Sequence, residues 1–476
     1  MKVGELFKIC KVEGYDVVRY FKSPFYLWCC YHAPKEEVDE ESDYMKMIAE
    51  RGKQHEKVFI QQKHPDMIPL KLETTEEILK ELKSGVPAFD NLPIFDPNME
   101  FAGKPDLLEI SHDAPSKLGK FHYIVKEIKS VKDPTTKKHY IMQTAFYNYI
   151  LGLLQGYIPK IFYIVNKAGE EVAFNFSDYE NELIAMLKEI ENIKKGEAVT
   201  PTLDTDYPWT KYSEKRALES MDISLVNGIS VRMKPKLNQI GIKTVDDLDK
   251  RDMSELTTID GIRDKKAAGF KRSARALIQK KPIIFGKSCL PDKKVEIFFD
   301  LESTIPDEEL NVTTQINYLF GIIIRENGKE EYIPIAAENL EQEEKILNDF
   351  LKIVLKKDDF VIYYFSNFEK RQLTRMFEQY ETDEDIKNRI FENSVDLWKI
   401  VTSTVTFPTT KNGLKEIANF LGFKWRHKDV NAQESMVWYF DFMENNDTEK
   451  MQKIIDYNED DCRATMLIKD WLKNNT

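Results

Sequence analysis

Several residues in this 476-residue sequence have the types and spacing needed to hydrolyse a phosphate ester. Asp106 follows Gly103-Lys104-Pro105 and precedes an apolar segment, and Glu127 and Lys129 flank Ile128 at the end of another. Residues two apart on a strand share a face, so Glu127 and Lys129 point together while Ile128 points into the core. Gln143 and Tyr147 are four apart and share one face of a helix. His55, in Gly52-Lys53-Gln54-His55, offers an imidazole from another helix. Asp106 and Glu127 are hard oxygen ligands for a divalent cation, and His55 adds a nitrogen suited to Mn²⁺ as well as Mg²⁺. Lys129 is placed to orient or help deprotonate an attacking water and to offset charge on the phosphate.

A second group lies near the other end. Ile297-Phe298-Phe299-Asp300-Leu301-Glu302 puts two acids on one face of an otherwise apolar strand. Burying carboxylates there is costly unless a cation compensates them. Glu369 follows Asn367-Phe368 at the start of a helix, and Tyr457 and Asp461 stand one helical turn apart. Asp396 is a second choice for the role of Glu369. Asp460 beside Asp461 leaves an ambiguity that the spacing from Tyr457 resolves towards Asp461.

A third group could hold the phosphate backbone. Two turns, Ile240-Gly241-Ile242 and Ile259-Asp260-Gly261-Ile262, lie between helix-forming stretches with their glycines 20 residues apart. Between Gly261 and Lys281, eight Lys/Arg (Arg263, Lys265, Lys266, Lys271, Arg272, Arg275, Lys280 and Lys281) stand against the single acid Asp264. That stretch carries +7, which leaves −19 on the rest of a chain whose net charge is −12. The overall acidity would exclude a nucleic-acid binder if it were uniform, but the basic footprint is local. A helical linker with glycine C-caps and a solvated lysine face is the plainer explanation of the same pattern.

Three stretches must position these groups. Residues 1–215 predict a mixed α/β domain, residues 216–285 a small all-α bridge of duplicated helix–turn–helix units, and residues 290–476 an α/β sheet covered by helices. No apolar run approaches the roughly 20 residues of a membrane span. Five cysteines, an odd number with no CxxC, indicate neither a disulfide framework nor a zinc ribbon, so a cytoplasmic location is expected. No GxxxxGK[ST] phosphate loop occurs, so no ATP site is expected.

The ordered motifs Gly52-x-x-His55, Gly103-x-x-Asp106, Glu127-x-Lys129 and Gln143-x-x-x-Tyr147 resemble those of RecB-like PD-(D/E)xK nucleases, with a restriction-endonuclease-like core. The resemblance implies His55, Asp106, Glu127 and the Ile128 carbonyl as metal ligands and Lys129 as the catalytic lysine. It implies that Gln143 and Tyr147 support the site and the DNA strand. Many relatives hold an iron–sulfur cluster through one cysteine before a proline and three more near the domain's end. Here Ser23-Pro24 stands at the first position and no cysteine falls between Cys30 and Cys289, so no cluster is expected. The middle block resembles tandem helix–hairpin–helix modules, in which Gly241 and Gly261 would let the backbone approach a phosphate. Residues 290–476 resemble DEDDy exonucleases of the RNase H-like fold. That resemblance implies Asp300, Glu302, Glu369 and Asp461 around two metal ions, with Tyr457 positioning the water. Glu369 departs from the aspartate usual there.

Together these features lead to the expectation of a Mg²⁺- or Mn²⁺-dependent DNA nuclease with two candidate sites, acting in repair, recombination or defence. Its substrate would be single-stranded DNA, junctions or duplex ends, with 3′–5′ polarity at the second site. The missing motor points to a helicase or another repair protein as partner. Two alternatives stay open: RNA processing through the C-terminal site, and a degenerate structure-specific scaffold whose acids are remnants.

Overall fold

The computed structural model describes every residue except 68–69, 71, 202, 204–206, 231, 307–311 and 428–429. The chain forms two compact units, one built from Met1–Arg216 and the other from Ala217–Pro306 with Val312–Thr476. The basic middle block therefore packs with the C-terminal sheet as part of one body.

In unit one, α1 (Gly14–Lys22) and α2 (Asp43–Lys63) precede a five-stranded sheet. Its strands are β1 (Ala88–Asp90), β2 (Leu107–Ser111), β3 (His122–Ile128), β4 (Ile161–Val165) and β5 (Glu171–Asn175), in the spatial order of their numbering. Pairing is antiparallel except between β3 and β4, which run parallel because α3 (Lys138–Gln155) crosses over between them. α3 is apolar nearly all round, as befits a helix buried on most of its surface. It ends where Gly156 takes φ 69°, a left-handed stop that glycine adopts without strain.

Alternation along β3 separates two jobs. Glu127 is 1% exposed on one face, while its neighbour Lys126 turns to the other and ion-pairs with Glu109 at 2.5 Å and Glu171 at 2.7 Å. Burial raises the Glu109 carboxyl, but Lys126, His64 and Lys63 outweigh it and hold the group down at about 2. A depressed carboxylate stabilises the fold fully above its ordinary value of 4.5 and loses that contribution as pH falls towards 2. Lys126→Met, which removes the most buried of the cations and leaves Lys63 to bridge the two acids with His64 on Glu109, is expected to cost about 1–3 kcal/mol. It should also flatten the stability profile between pH 5 and 2, read by urea titrations across that range.

Unit two opens with four helices, α4 (Lys234–Gln239), α5 (Val245–Lys250), α6 (Met253–Leu256) and α7 (Asp264–Gln279). They form two helix–turn–helix pairs, with Gly241 (φ 80°) between α4 and α5 and Gly261 (φ 87°) between α6 and α7. Both turns need the left-handed backbone that glycine supplies. Next come β6 (Ile283–Ile284), β7 (Val295–Ser303), β8 (Asn317–Glu326) and β9 (Lys329–Ala336). They are followed by α8 (Glu343–Val354), β10 (Phe360–Tyr364), α9 (Asn367–Gln379), β11 (Ser394–Asp396), α10 (Leu397–Thr404) and β12 (Val405–Thr406). Three helices close the chain: α11 (Leu414–Phe420), α12 (Ala432–Asn445) and the 28-residue α13 (Thr448–Asn475). The main sheet has the order β9-β8-β7-β10-β11. The β7–β9 strands meander antiparallel, and β10 and β11 run parallel to β7. A small ribbon pairs β6 with β12 and so ties the α4–α7 block to the sheet domain.

Both faces of the sheet are buried. Ile297, Phe299 and Leu301 pack in one apolar cluster with α8 residues Ile346, Leu347 and Phe350. Phe298, on the opposite face, packs with Ile323, Val361 and α13 residues Cys462, Ile468 and Leu472. Among the described residues, no helix is long and apolar enough to cross a membrane.

Candidate functional site

The alternation that buries Phe298 against α13 also turns Asp300 and Glu302 towards that helix. α13 is started by Asp447, whose side chain accepts from the Lys450 amide at 3.1 Å. It contains neither glycine nor proline, so it holds Tyr457, Asn458 and Asp461 on a rigid rod against β7. Asp300, Glu302 and Asp461 each bring a carboxylate oxygen to within 4.8 Å of the other two. Asp460 points elsewhere, accepting from the Arg426 guanidinium at 2.9 Å and the Arg426 amide at 2.8 Å.

Glu369 arrives from the first turn of α9. The preceding Ser366 takes φ 130°, a conformation rare outside glycine, and such strain is often found at working sites. Its hydroxyl accepts from the Phe368 amide at 3.1 Å and lies 3.3 Å from Glu369 Oε2. The charge of Glu369 is felt at Asp300, and those of Asp461 and Asp396 are felt at Glu369. Asp396 spends Oδ1 on the α10 cap, accepting from the Lys399 amide at 3.4 Å, while its buried Oδ2 has no hydrogen-bond partner.

Burial is the leading cause of the shifted acidities. It pushes Glu302 and Glu369 up to about 8, Asp461 up to about 6, and Asp300 well above the usual aspartate range. Repulsion from Asp461 adds to burial at Asp300 and Glu302. At Asp461 the charge of Lys415 and hydrogen bonds from Trp425 and Tyr457 pull the other way. Three carboxylates this close, Glu302 and Asp461 buried and Asp300 half-buried, with no cation among their hydrogen-bond partners in the described residues, form the donor set of a hard divalent metal. Asp300, Glu302 and Asp461 would hold it, with Glu369 beside them.

The side chains that orient these acids were not legible as a pattern. Trp425 Nε1 donates to Asp461 Oδ1 at 2.7 Å, and the Lys415 ammonium lies 4.6 Å from the centre of the Tyr457 ring. Asn458 Nδ2 donates to Asp300 Oδ2 at 2.8 Å, while Asn458 Oδ1 accepts from the Tyr332 hydroxyl at 3.0 Å. Asn458 fits because residue 321, opposite on β8, is glycine: a Cβ there would sit 1.6 Å from Asn458 Oδ1. Gly321→Ala should therefore displace Asn458 and loosen Asp300. We expect a destabilisation of about 1–3 kcal/mol with a lowered metal affinity, measured by thermal melting with and without Mn²⁺.

In unit one, Asp106 stands just before β2, and β3 brings Glu127 and Lys129 against it. The Asp106 amide donates to Glu127 Oε1 at 3.0 Å, and the Ile128 amide donates to Asp106 Oδ2 at 2.8 Å. The Lys129 ammonium donates to Glu127 Oε2 at 2.7 Å and lies 3.6 Å from Asp106 Oδ2. Burial and the Asp106 charge push Glu127 up to about 8, against the pull of Lys129. Burial works against the charge on Lys129 as well, but Asp106 and Glu127 outweigh it and hold the ammonium well above its ordinary value. Gln143 Nε2 donates to the Tyr147 hydroxyl at 3.1 Å. The Tyr147 ring fits because residues 14 and 103 are glycine, where a Cβ would lie 2.2 and 2.5 Å away from it.

His55 makes no Nε2 hydrogen bond to this group among the described residues. Among the described residues, His55, Asp106 and Glu127 do not form a set as tight as that around Asp300. Its buried Nε2 has no partner, and burial and the Lys167 charge lower its basicity, which leaves a neutral imidazole. The neighbouring Glu56 does sense Asp106, whose charge joins burial in pushing the Glu56 carboxyl above the usual glutamate range. Glu56 gave no signal of its own on a helix rich in charge.

The basic residues of α7 divide. Arg263, Lys265 and Lys266 are exposed beside the exposed Gly261, although the Lys266 ammonium also reaches the Gly261 carbonyl at 3.2 Å. Lys271 is occupied internally, donating to the Arg251 carbonyl at 2.6 Å and to those of Leu248 and Asp249. Arg275 pairs with Asp249 at 2.9 Å. The exposed Gly241 turn is flanked by the acidic start of α5, Asp246 and Asp247.

A search of curated proteins finds no match to the chain. Residues 297–473, the sheet domain with its acidic cluster, match the model of the RNase_H superfamily, so the C-terminal part of the chain is RNase H-like.

Proposed function

We propose that the chain is a metal-dependent DNA nuclease whose C-terminal site removes nucleotides in the 3′–5′ direction. The observation that carries this reading is the set Asp300, Glu302 and Asp461, two buried and one half-buried, with oxygens within 4.8 Å of one another, inside the RNase H-like domain. A nuclease-type function follows from that domain, and the acid order supports the exonuclease assignment. A divalent cation held there would supply positive charge to the scissile phosphate and favour attack by water. The protein's own contributions are separable. Trp425 and Asn458 orient Asp461 and Asp300, and the Lys415 charge limits repulsion among the acids. Tyr457, within hydrogen-bonding reach of Asp461, would position the attacking water.

Unit one would hold a second, PD-(D/E)xK-type site. Asp106 and Glu127 are the ligands, with the Ile128 carbonyl beside them, and Lys129 offsets phosphate charge as a held ammonium. His55 remains the expected nitrogen ligand, and Glu56, which senses Asp106, would add a carboxylate from the same helix. The two glycine turns of unit two would track the backbone, with Arg263, Lys265 and Lys266 as cations. Mg²⁺ or Mn²⁺ suits both donor sets.

The test incubates the full chain with 5′-labelled single-stranded DNA, duplex DNA and RNA, in EDTA, Mg²⁺ or Mn²⁺. DNA shortened from its 3′ end only with metal supports the reading, and Glu127→Ala should remove one product class without touching the other. Cleavage of RNA alone would move the function to RNA processing. Salt-sensitive binding with no cleavage would make the chain a scaffold.

A further inference from the structure

A small polar cavity of about 190 Å³ lies in unit two where α7 meets the β6–β12 ribbon. Arg272, Ser273, Asn227, Phe285, Thr406 and Asn412 line it. The Arg272 guanidinium lies 4.1 Å from the centre of the Phe285 ring, and its buried Nε has no hydrogen-bond partner. Its neighbours on α7 behave otherwise: Lys271 and Arg275 are spent on carbonyls and on Asp249. Among the described residues Arg272 thus has no counter-ion, and it lines a cavity whose other polar side chains carry hydroxyls and amides.

An unpaired guanidinium donor at a polar cavity is costly unless something accepts from it. The planar fork of arginine matches the oxygens of a phosphate, and stacking on Phe285 fixes its orientation. The wall is stiff. β6 and β12 pair at Val405↔Ile284 and Thr406↔Ile283, and the Phe285 and Gly286 amides both donate to the Thr404 carbonyl, at 2.8 and 3.1 Å. Ser273 Oγ is engaged by the Asn227 amide at 3.2 Å, which fixes the opposite rim. We propose that this cavity binds one phosphate group of a nucleic-acid strand. It would be an anchor within the same compact unit as the acid cluster and distinct from the two glycine turns. The inference rests on the nuclease reading and adds a strand-holding site to it.

Fluorescence anisotropy with the full chain in EDTA, across 50–300 mM salt, tests it. The probes are labelled 20-nucleotide single strands with and without a 5′-phosphate. Arg272→Ala should weaken binding about 5–10-fold and lower the log–log salt slope by about 0.7, the value of one single-strand phosphate contact. Arg272→Lys should keep most of the slope, and Asn412→Glu, which places an anion at the rim, should weaken binding without removing Arg272. A loss confined to the 5′-phosphorylated strand assigns the terminal phosphate, and an equal loss on both strands assigns a backbone phosphodiester. Unchanged affinity and slope in Asn412→Glu and in a folded Arg272→Ala would overturn the site. A parent chain that binds no strand in EDTA yet cleaves DNA with Mg²⁺ or Mn²⁺ would also overturn the site, and one that neither binds nor cleaves would instead overturn the nuclease reading beneath it.

Discussion

Asp300→Asn and Glu302→Gln should each reduce metal-dependent cleavage by at least ~10²-fold, the scale on which removing one preorganised electrostatic group acts in a catalytic site. Both substitutions preserve shape, so the fold should survive: Asn458 can still meet residue 300, and Ser435 and Asn458 can still meet residue 302. They remove ligand charge where three carboxylates converge within 4.8 Å, which should weaken metal binding most. Initial rates on labelled DNA at rising Mn²⁺ check this. Partial rescue at high Mn²⁺ would show that the lost group is a ligand. If neither variant changes the 3′–5′ product ladder, the assignment of the C-terminal site fails. Asp460→Asn is the comparison, because Asp460 is engaged by Arg426 and should leave the ladder unchanged.

The second large effect concerns stability. Without metal, Glu302 and Glu369 sit up at about 8 and Asp461 at about 6, chiefly because burial disfavours their charged forms. The folded state therefore keeps protons that the unfolded chain releases near pH 4. Stability falls with pH wherever the native state binds more protons than the unfolded state. In EDTA, unit two should lose stability as pH rises from about 5 to 8, the reverse of the acid-side loss expected from Glu109 in unit one. All three acids act in the same direction, so Tm should fall measurably across this range. Saturating Mg²⁺ or Mn²⁺ should restore what high pH removes, because a ligand that binds only the native state stabilises it. Calorimetry of the full chain, with Glu302→Gln to identify the transition and flatten its pH dependence, reads both effects. A Tm that rises over this pH range, or ignores both metals, would count against a cation site among these acids.

The residues that could do chemistry were legible because their patterns are local. Alternation on β3 and β7 and the four-residue spacing in α3 and α13 follow from backbone geometry alone, and they place Glu127 with Lys129, Asp300 with Glu302, and Tyr457 with Asp461. The β-β-β-α-β order of the C-terminal part was readable for the same reason, since short apolar runs and amphipathic helices carry their period in sequence. The left-handed turns at Gly241 and Gly261 were signalled by the only residue that adopts them freely.

What tertiary structure decided is which partners meet across the chain. Glu56 senses the charge of Asp106, whereas its neighbour His55 senses that of Lys167. Trp425 and Asn458 reach Asp461 and Asp300 across long sequence separations, and Asn458 fits only because Gly321 on β8 leaves the space. Lys271, Arg272 and Arg275 look alike in a run of positive charge. Packing spends two of them on carbonyls and a carboxylate and leaves Arg272 facing a polar cavity. Local period says which face a side chain takes, but burial and partners depend on contacts between distant segments, and those set the charges on which any chemistry here depends.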